Sequence, residues 1–229
     1  MALLRVEFHC HTCFSTDSLT TPQALLEVCQ RKQIDRLVVT DHNTIGGALQ
    51  AQQLDPVRFI VGEEVRTISG ELLAFFVKEA VPRGLAPLEA IEQLRLQGAF
   101  ISVSHPMDRW RGWQPQALLE ILPYIDALET FNSRCIWPGW NKDAQLFAKE
   151  HDLPGTSGSD AHTLAEVGRA TMQVEDFADA EGLRRVIRQA VPHNRLSNWG
   201  VHFASSKAKE IKAQSGASDD SDFQELKKR

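Results

Sequence analysis

Little in this 229-residue chain points to a membrane, a disulfide framework or a large anionic partner. No stretch approaches the ~20 apolar residues that cross a bilayer, and residues 1–6 carry no apolar run ending in a small-residue cleavage site. A cytoplasmic location is the expectation. The four cysteines, Cys10, Cys13, Cys29 and Cys135, make no paired pattern, so reduced thiols are expected. Cys10-x-x-Cys13 is half a zinc knuckle with no second half. The net charge of -5, with both signs mixed, argues against stable binding to duplex nucleic acid. It leaves room for a small phosphorylated substrate, a nucleotide or the end of an oligonucleotide.

What the chain does contain is a recurring unit of strand, polar cluster and helix. Residues 3–8 read as a buried strand ending at His9, and residues 34–39 as another ending at Thr40-Asp41-His42. A third, 59–61, leads into Gly62-Glu63-Glu64, and Gly70 turns the chain back through 72–77 as a hairpin. The strand at 100–103 ends at Ser104-His105-Pro106, that at 124–131 ends at Asn132-Ser133-Arg134, and 170–174 is the last. Helices are expected after Thr21-Pro22 and over 88–96, 115–121, 141–150 and 180–189. Alternation of this kind implies an α/β fold with a parallel sheet, whose chemistry sits at the C-terminal ends of the strands. One domain over 1–200 is expected, followed at 205–229 by a polar tail, disordered or loosely helical, rich in Lys, Ser, Asp and Glu.

Five of the eight histidines, His9, His11, His42, His105 and His162, fall at predicted strand ends, each near an acidic or small polar residue. One such histidine is ordinary; five in successive units suggest a shared site. His9 and His11 are two apart at a strand end, so both imidazoles leave the same face, and Asp160 and His162 repeat that spacing. With Glu64 they form a mixed nitrogen and oxygen set suited to manganese, zinc or iron.

The His9-x-His11 opening, Asp41-His42, Gly62-x-Glu64, His105-Pro106 and the Gly158-Ser159-Asp160-Ala161-His162 close resemble, in that order, the PHP (polymerase and histidinol phosphatase) phosphoesterases. The resemblance runs over about residues 5–198. It implies a distorted (β/α)7 TIM-like barrel of PHP type that binds two or three divalent cations (Mn, Zn or Fe) and hydrolyses phosphate esters. By matching motif, His9, His11, Glu64 and Asp160 hold one metal. Glu64 bridges to a second, shared with His105 and Asn132; Asp17, His42 and His162 hold a third. His42, Asp160 and His162 are the implied catalytic residues.

Two cations sharing a water lower its pKa and neutralise the phosphoryl oxygens. Arg134 and Arg109 lie just beyond strand ends and are candidates for a bidentate grip on a second phosphate or a carboxylate. Trp110, Trp113, Trp137 and Trp140 mark two aromatic-rich loops expected to border the mouth, suited either to stacking a base or to covering the barrel rim or an interface. Two other readings stand beside this one. Amidohydrolases also open on His-x-His, but they use a bridging carboxylated lysine, and no lysine sits at a candidate strand end. A metal-stabilised interaction module without turnover belongs to a different class, and the full ligand set argues against it.

Overall fold

Proline or a capping side-chain oxygen starts most of the helices. Thr21 accepts from Ala24 N ahead of Pro22, and Pro87, Pro115 and Pro138 each occupy a first turn, where the missing N–H costs nothing. In the computed structural model, which describes residues 3–214, these signals punctuate nine strands and seven α-helices. In chain order they are β1 (Leu3–Cys10), α1 (Pro22–Lys32), β2 (Arg36–Val39), α2 (Gly46–Leu54), β3 (Phe59–Arg66), β4 (Glu71–Phe75), α3 (Pro87–Leu96) and β5 (Phe100–Val103). There follow α4 (Pro115–Ile121), β6 (Ala127–Asn132), α5 (Pro138–Glu150), β7 (Gly155–Gly158), β8 (Ala170–Glu175), α6 (Ala180–Val186), β9 (Val191–Asn194) and α7 (Gly200–Gln214).

The strands form one sheet in the order β7-β6-β5-β4-β3-β2-β1-β8-β9. It curls until β7 returns to β1: His11 N donates to Ala161 O (2.8 Å), and Ser159 N donates to Glu7 Oε1 (2.8 Å). The result is a distorted, nearly closed seven-strand barrel with β8 and β9 as an added antiparallel pair, joined through α6. The sheet is not wholly parallel. β4 runs antiparallel to β3 and β5, and β8 is antiparallel to β1. The tight return at Gly70 leaves no room for the crossover helix that a parallel pair requires.

Phe8, Phe75 and Phe100 stack with centroids 5.4 and 5.5 Å apart. They come from β1, β4 and β5, and β1 and β4 are not sheet neighbours, so the contact spans the barrel interior. Val6, Val38 and Ile60 join this inner cluster, and Leu183 and Ile187 extend it beyond the strands. A second cluster, including Leu37, Val39, Leu72 and Ile101, packs the outer face of the sheet under the helices. β1 changes allegiance between them, since Val6 and Phe8 are inner while Cys10 is outer. A bulge in its pairing with β2 between Glu7 and Cys10 makes that switch and re-aims the histidines on either side of Cys10.

The polar segment from Ser205 is helical through Gln214 as part of α7, with Ser205 and Ala208 buried. The side chains of Ser205, Lys209 and Lys212 find partners on the barrel, which is why this stretch orders despite its composition. The rest of the predicted tail, 215–229, lies outside the described residues.

Candidate metal centre

The strand ends converge at one mouth. His9 Nε2 and His11 Nε2 lie 3.1 Å apart, and each is 3.4 Å from Glu64 Oε2. Asp160 Oδ1 stands 3.6 and 3.4 Å from the same two nitrogens. An ion bound at ~2.1 Å by nitrogen and oxygen donors holds neighbouring donors about 3.0–3.4 Å apart, so these spacings match the edges of one coordination polyhedron. Glu64 Oε1 turns the other way, 3.4 Å from His105 Nε2, and accepts from Ser104 Oγ (2.6 Å). The carboxylate is thereby divided between two sets of donors, as a bridging ligand must be. On the remaining side Asp17 Oδ1 faces His162 Nε2 (3.1 Å) and His42 Nε2 (3.6 Å). Asp17 Oδ1 makes no hydrogen bond among the described residues although it is buried, a cost that a cation would relieve. The donors fit divalent metals.

Partners on the far side of each ring fix which nitrogen faces inward. Glu129 Oε1 holds His9 Nδ1 (2.8 Å), and Ser15 Oγ, itself bonded to Asp41, holds His11 Nδ1 (3.1 Å). The Asp160 carbonyl holds His162 Nδ1 (2.8 Å). Such outer contacts orient metal-binding imidazoles and raise their basicity. Two of the candidate ligands sit on strained backbone, His105 with φ 27° and Asp160 with φ 51°, which turns their side chains back over the barrel mouth. Gly158 is required for space: a Cβ there would lie 2.3 Å from His9 Cβ.

The charges favour cations. Burial opposes protonation of His9, yet Glu64, Glu129 and Asp160 hold its pKa well above the usual imidazole value. Burial and Arg111 oppose His105, and Glu64 and Glu71 outweigh them, lifting it to about 9. Burial likewise works against the Asp17 carboxylate, but His162 and His42 hold its pKa far below the ordinary range. His11 is the exception. Burial, His162 and His42 depress it, so it stays neutral with a lone pair to give.

Of the residues singled out from the sequence, His9, His11, Asp17, His42, Glu64, His105, Asn132, Asp160 and His162 all meet here. Asn132 Nδ2 donates to Asp160 Oδ2 (3.2 Å) and Glu129 Oε2 (3.0 Å). Arg109 does not reach the site and is exposed. Arg111 takes the place expected for it, donating from Nη1 to Asp160 Oδ2 (2.6 Å), because the turn after His105-Pro106 folds back at Gly112 onto the Asp108 carbonyl. Arg134 lines the mouth but is tied to Glu166 (3.3 Å) and to Ser205 on α7 (2.5 Å). Trp113 is buried, with its indole N–H on the Glu71 carbonyl, whereas Trp110 packs edge to face on Trp140 (5.5 Å) at the surface. Sequence reasoning missed Glu71, Glu129, Arg111 and the contribution of α7. Only Glu129 carried a signal, as the second acidic residue of Asp126-Ala127-Leu128-Glu129 within the predicted strand at 124–131.

The mouth opens into a cavity of about 1040 Å³ whose lining includes Asp17, His42, Arg66, Arg111, His202 and Lys209. α7 closes one side: Lys209 Nζ is 3.6 Å from Asp17 Oδ2, and Lys212 Nζ donates to the Cys13 (2.5 Å) and Ser15 carbonyls.

Known proteins resemble this chain in sequence and in fold. The sequence matches the PHP domain over residues 7–109 and the PHP-associated family over 138–192. It is 36% identical over 181 residues to an uncharacterized protein of Methanocaldococcus jannaschii, covering 76% of this chain and 72% of that one. In three dimensions it is similar to a candidate metal-dependent phosphoesterase of Bifidobacterium adolescentis. That match has a TM-score of 0.59 and 17% identity and covers 79% of this chain and 94% of the other. It is also similar to the lesion-specific endonuclease EndoQ of Pyrococcus furiosus, with a TM-score of 0.62 and 17% identity, covering 83% of this chain and 58% of the other. With the motif order, the barrel and the histidine and carboxylate cluster all in agreement, the chain belongs to the PHP-domain family.

Proposed function

We propose that the protein is a metal-dependent phosphoesterase acting on a small phosphomonoester, a nucleotide or an oligonucleotide end. Family membership supports the coarser statement, a metal-dependent hydrolase. The observation that carries the finer one is Glu64, whose two oxygens face separate donor sets at the mouth of a cation-lined cavity. His9, His11, Glu64 and Asp160 would hold one divalent ion, Glu64 and His105 a second, with Asn132 beside them, and Asp17, His42 and His162 a third. Manganese, zinc and iron all suit this mixed donor set. When bound, such ions supply Lewis acidity and a water acidic enough to yield hydroxide near neutral pH.

The chain's own residues do the rest. Arg111 presents a planar guanidinium at the cluster, suited to two phosphoryl oxygens. Arg134 stands on the cavity wall as a second anchor for an anionic substituent. Asp17 and Glu64 raise the His42 pKa well above the usual imidazole value against the penalty of burial, so His42, where it is not a ligand, would be the proton donor to the leaving oxygen. With three ions bound, it is a ligand. Asp160 and His162 position the attack by fixing the inner donors. The bridging place that a carboxylated lysine fills in amidohydrolases is held by Glu64, which disfavours that reading. No described helix is long and apolar enough to cross a membrane. Hydrolysis of an aryl phosphate by manganese-loaded protein tests the proposal. Turnover supports it; folded, metal-loaded protein that cleaves neither aryl phosphates nor a nucleotide panel supports the interaction-module reading.

A further inference from the structure

We propose that Glu71 is a metal ligand in this chain and that Glu71, rather than Asn132, completes the position served by Glu64 and His105. The proposal rests on the metallohydrolase reading above and names a residue that no motif marks. β4 runs against its neighbours, so its first residue, not its last, lies at the open end of the barrel. Register places Arg66 opposite Glu71 and Glu64 opposite Leu73, which sets Glu71 at the same end as Glu64. Its backbone is pinned there, because the Glu71 carbonyl accepts from Ser104 N (3.0 Å) and from the Trp113 indole (3.1 Å). Glu71 Oε2 then stands 3.3 Å from His105 Nε2, beside the 3.4 Å between His105 Nε2 and Glu64 Oε1. Donor atoms of all three residues lie within 4.8 Å of one another. These spacings equal those around His9 and His11.

Asn132 is committed elsewhere. Its amide nitrogen donates to Glu129 and Asp160, and its Oδ1 accepts from Arg134 N (2.9 Å). That role is to hold two carboxylates in place, and an amide is in any case a weak ligand for a transition metal. The ion at His105 would therefore be held by two carboxylates and one imidazole, an oxygen-rich set that suits manganese or iron(II) better than a nitrogen-rich one.

The test is the number of manganese ions retained per chain, measured by elemental analysis after desalting and by calorimetric titration, with far-UV circular dichroism as a fold control. Wild type sets the number. Glu71→Gln and His105→Ala should each retain one ion fewer, and the double variant should also retain one fewer, not two. Asn132→Ala should retain the full number. Glu71→Ala, which removes the carboxylate outright, should lose the same ion, and this keeps the test informative if the glutamine variant folds poorly. Full manganese in both folded Glu71 variants while His105→Ala loses an ion would overturn the assignment and leave the phosphoesterase reading standing. Wild type that binds no manganese would overturn both.

Discussion

Asp160 and Glu64 are the hubs of the centre, and around Asp160 the side chains of His9, His11, His162, Arg111 and Asn132 all lie within 3.6 Å of its oxygens. Asp160→Ala or His9→Ala should abolish hydrolysis, by roughly 10³-fold or more, the scale of losing preorganised charge stabilisation. The barrel should still fold, as the inner phenylalanine stack is untouched; near wild-type turnover in both variants would refute the site. Glu129→Gln tests the outer support: the ring of His9 loses an anionic partner, and manganese affinity should fall about 10–100-fold. Unchanged affinity would make Glu129 a bystander.

Glu63, next to Glu64 but facing away, makes the opposite case. Its Oε2 accepts from Val81 N and its Oε1 has no hydrogen-bond partner among the described residues, and burial pushes its carboxyl up to about 7 from 4.5. A carboxyl raised in the folded state contributes stability that is full below its unfolded pKa and lost as pH rises through the folded one. Relative to Glu63→Gln, wild type should therefore lose ~1.4 kcal/mol per pH unit between about pH 4.5 and 7, then level off. Parallel stability curves from denaturant unfolding would contradict this.

At the scale of elements, legibility followed local chemistry. α4 and β5 fall on their predicted bounds because proline at Pro115 and an unbroken apolar run at Phe100–Val103 are strong local signals. β7 reads Gly-Thr-Ser-Gly and carries no apolar pattern. It is a strand because β6 and the return to β1 supply its partners, and its small residues leave space for His9. β9 contains Pro192 and α2 opens on two glycines, so neither could be specified without tertiary context. Of the site, the histidines and Asp160 were legible by spacing. Glu71 and Arg111 were not, since one depends on the reversal of β4 and the other on a loop folding back.

α7 includes residues 205–214 of the segment expected to be disordered or loosely helical, and it is ordered by polar contacts with the barrel that its composition does not announce. Lys209 is half exposed, so its ion pair with Asp17 contributes at most ~1 kcal/mol to stability. Lys209→Ala should leave thermal stability within a few degrees of wild type. It should raise KM for an aryl phosphate several-fold, because the cavity loses a cation. Unchanged KM would confine α7 to a structural role.

For the whole molecule, a net charge of -5 coexists with a mouth lined by arginine, lysine and histidine around buried carboxylates. Selectivity for anions is thus local. Metal must displace protons held by His9, His42 and His105, so manganese affinity should strengthen as pH rises from 7 towards 9, by up to tenfold per unit for each proton released. Affinity that does not change over this range would contradict the electrostatics described. The most direct test of the central claim is metal content joined to turnover: metals per chain by elemental analysis, with aryl phosphate hydrolysis before chelation, after it and after manganese is restored. Two or three ions per chain, with activity lost on chelation and recovered on add-back, is the predicted result. Protein that hydrolyses the ester equally well when stripped of metal would contradict it.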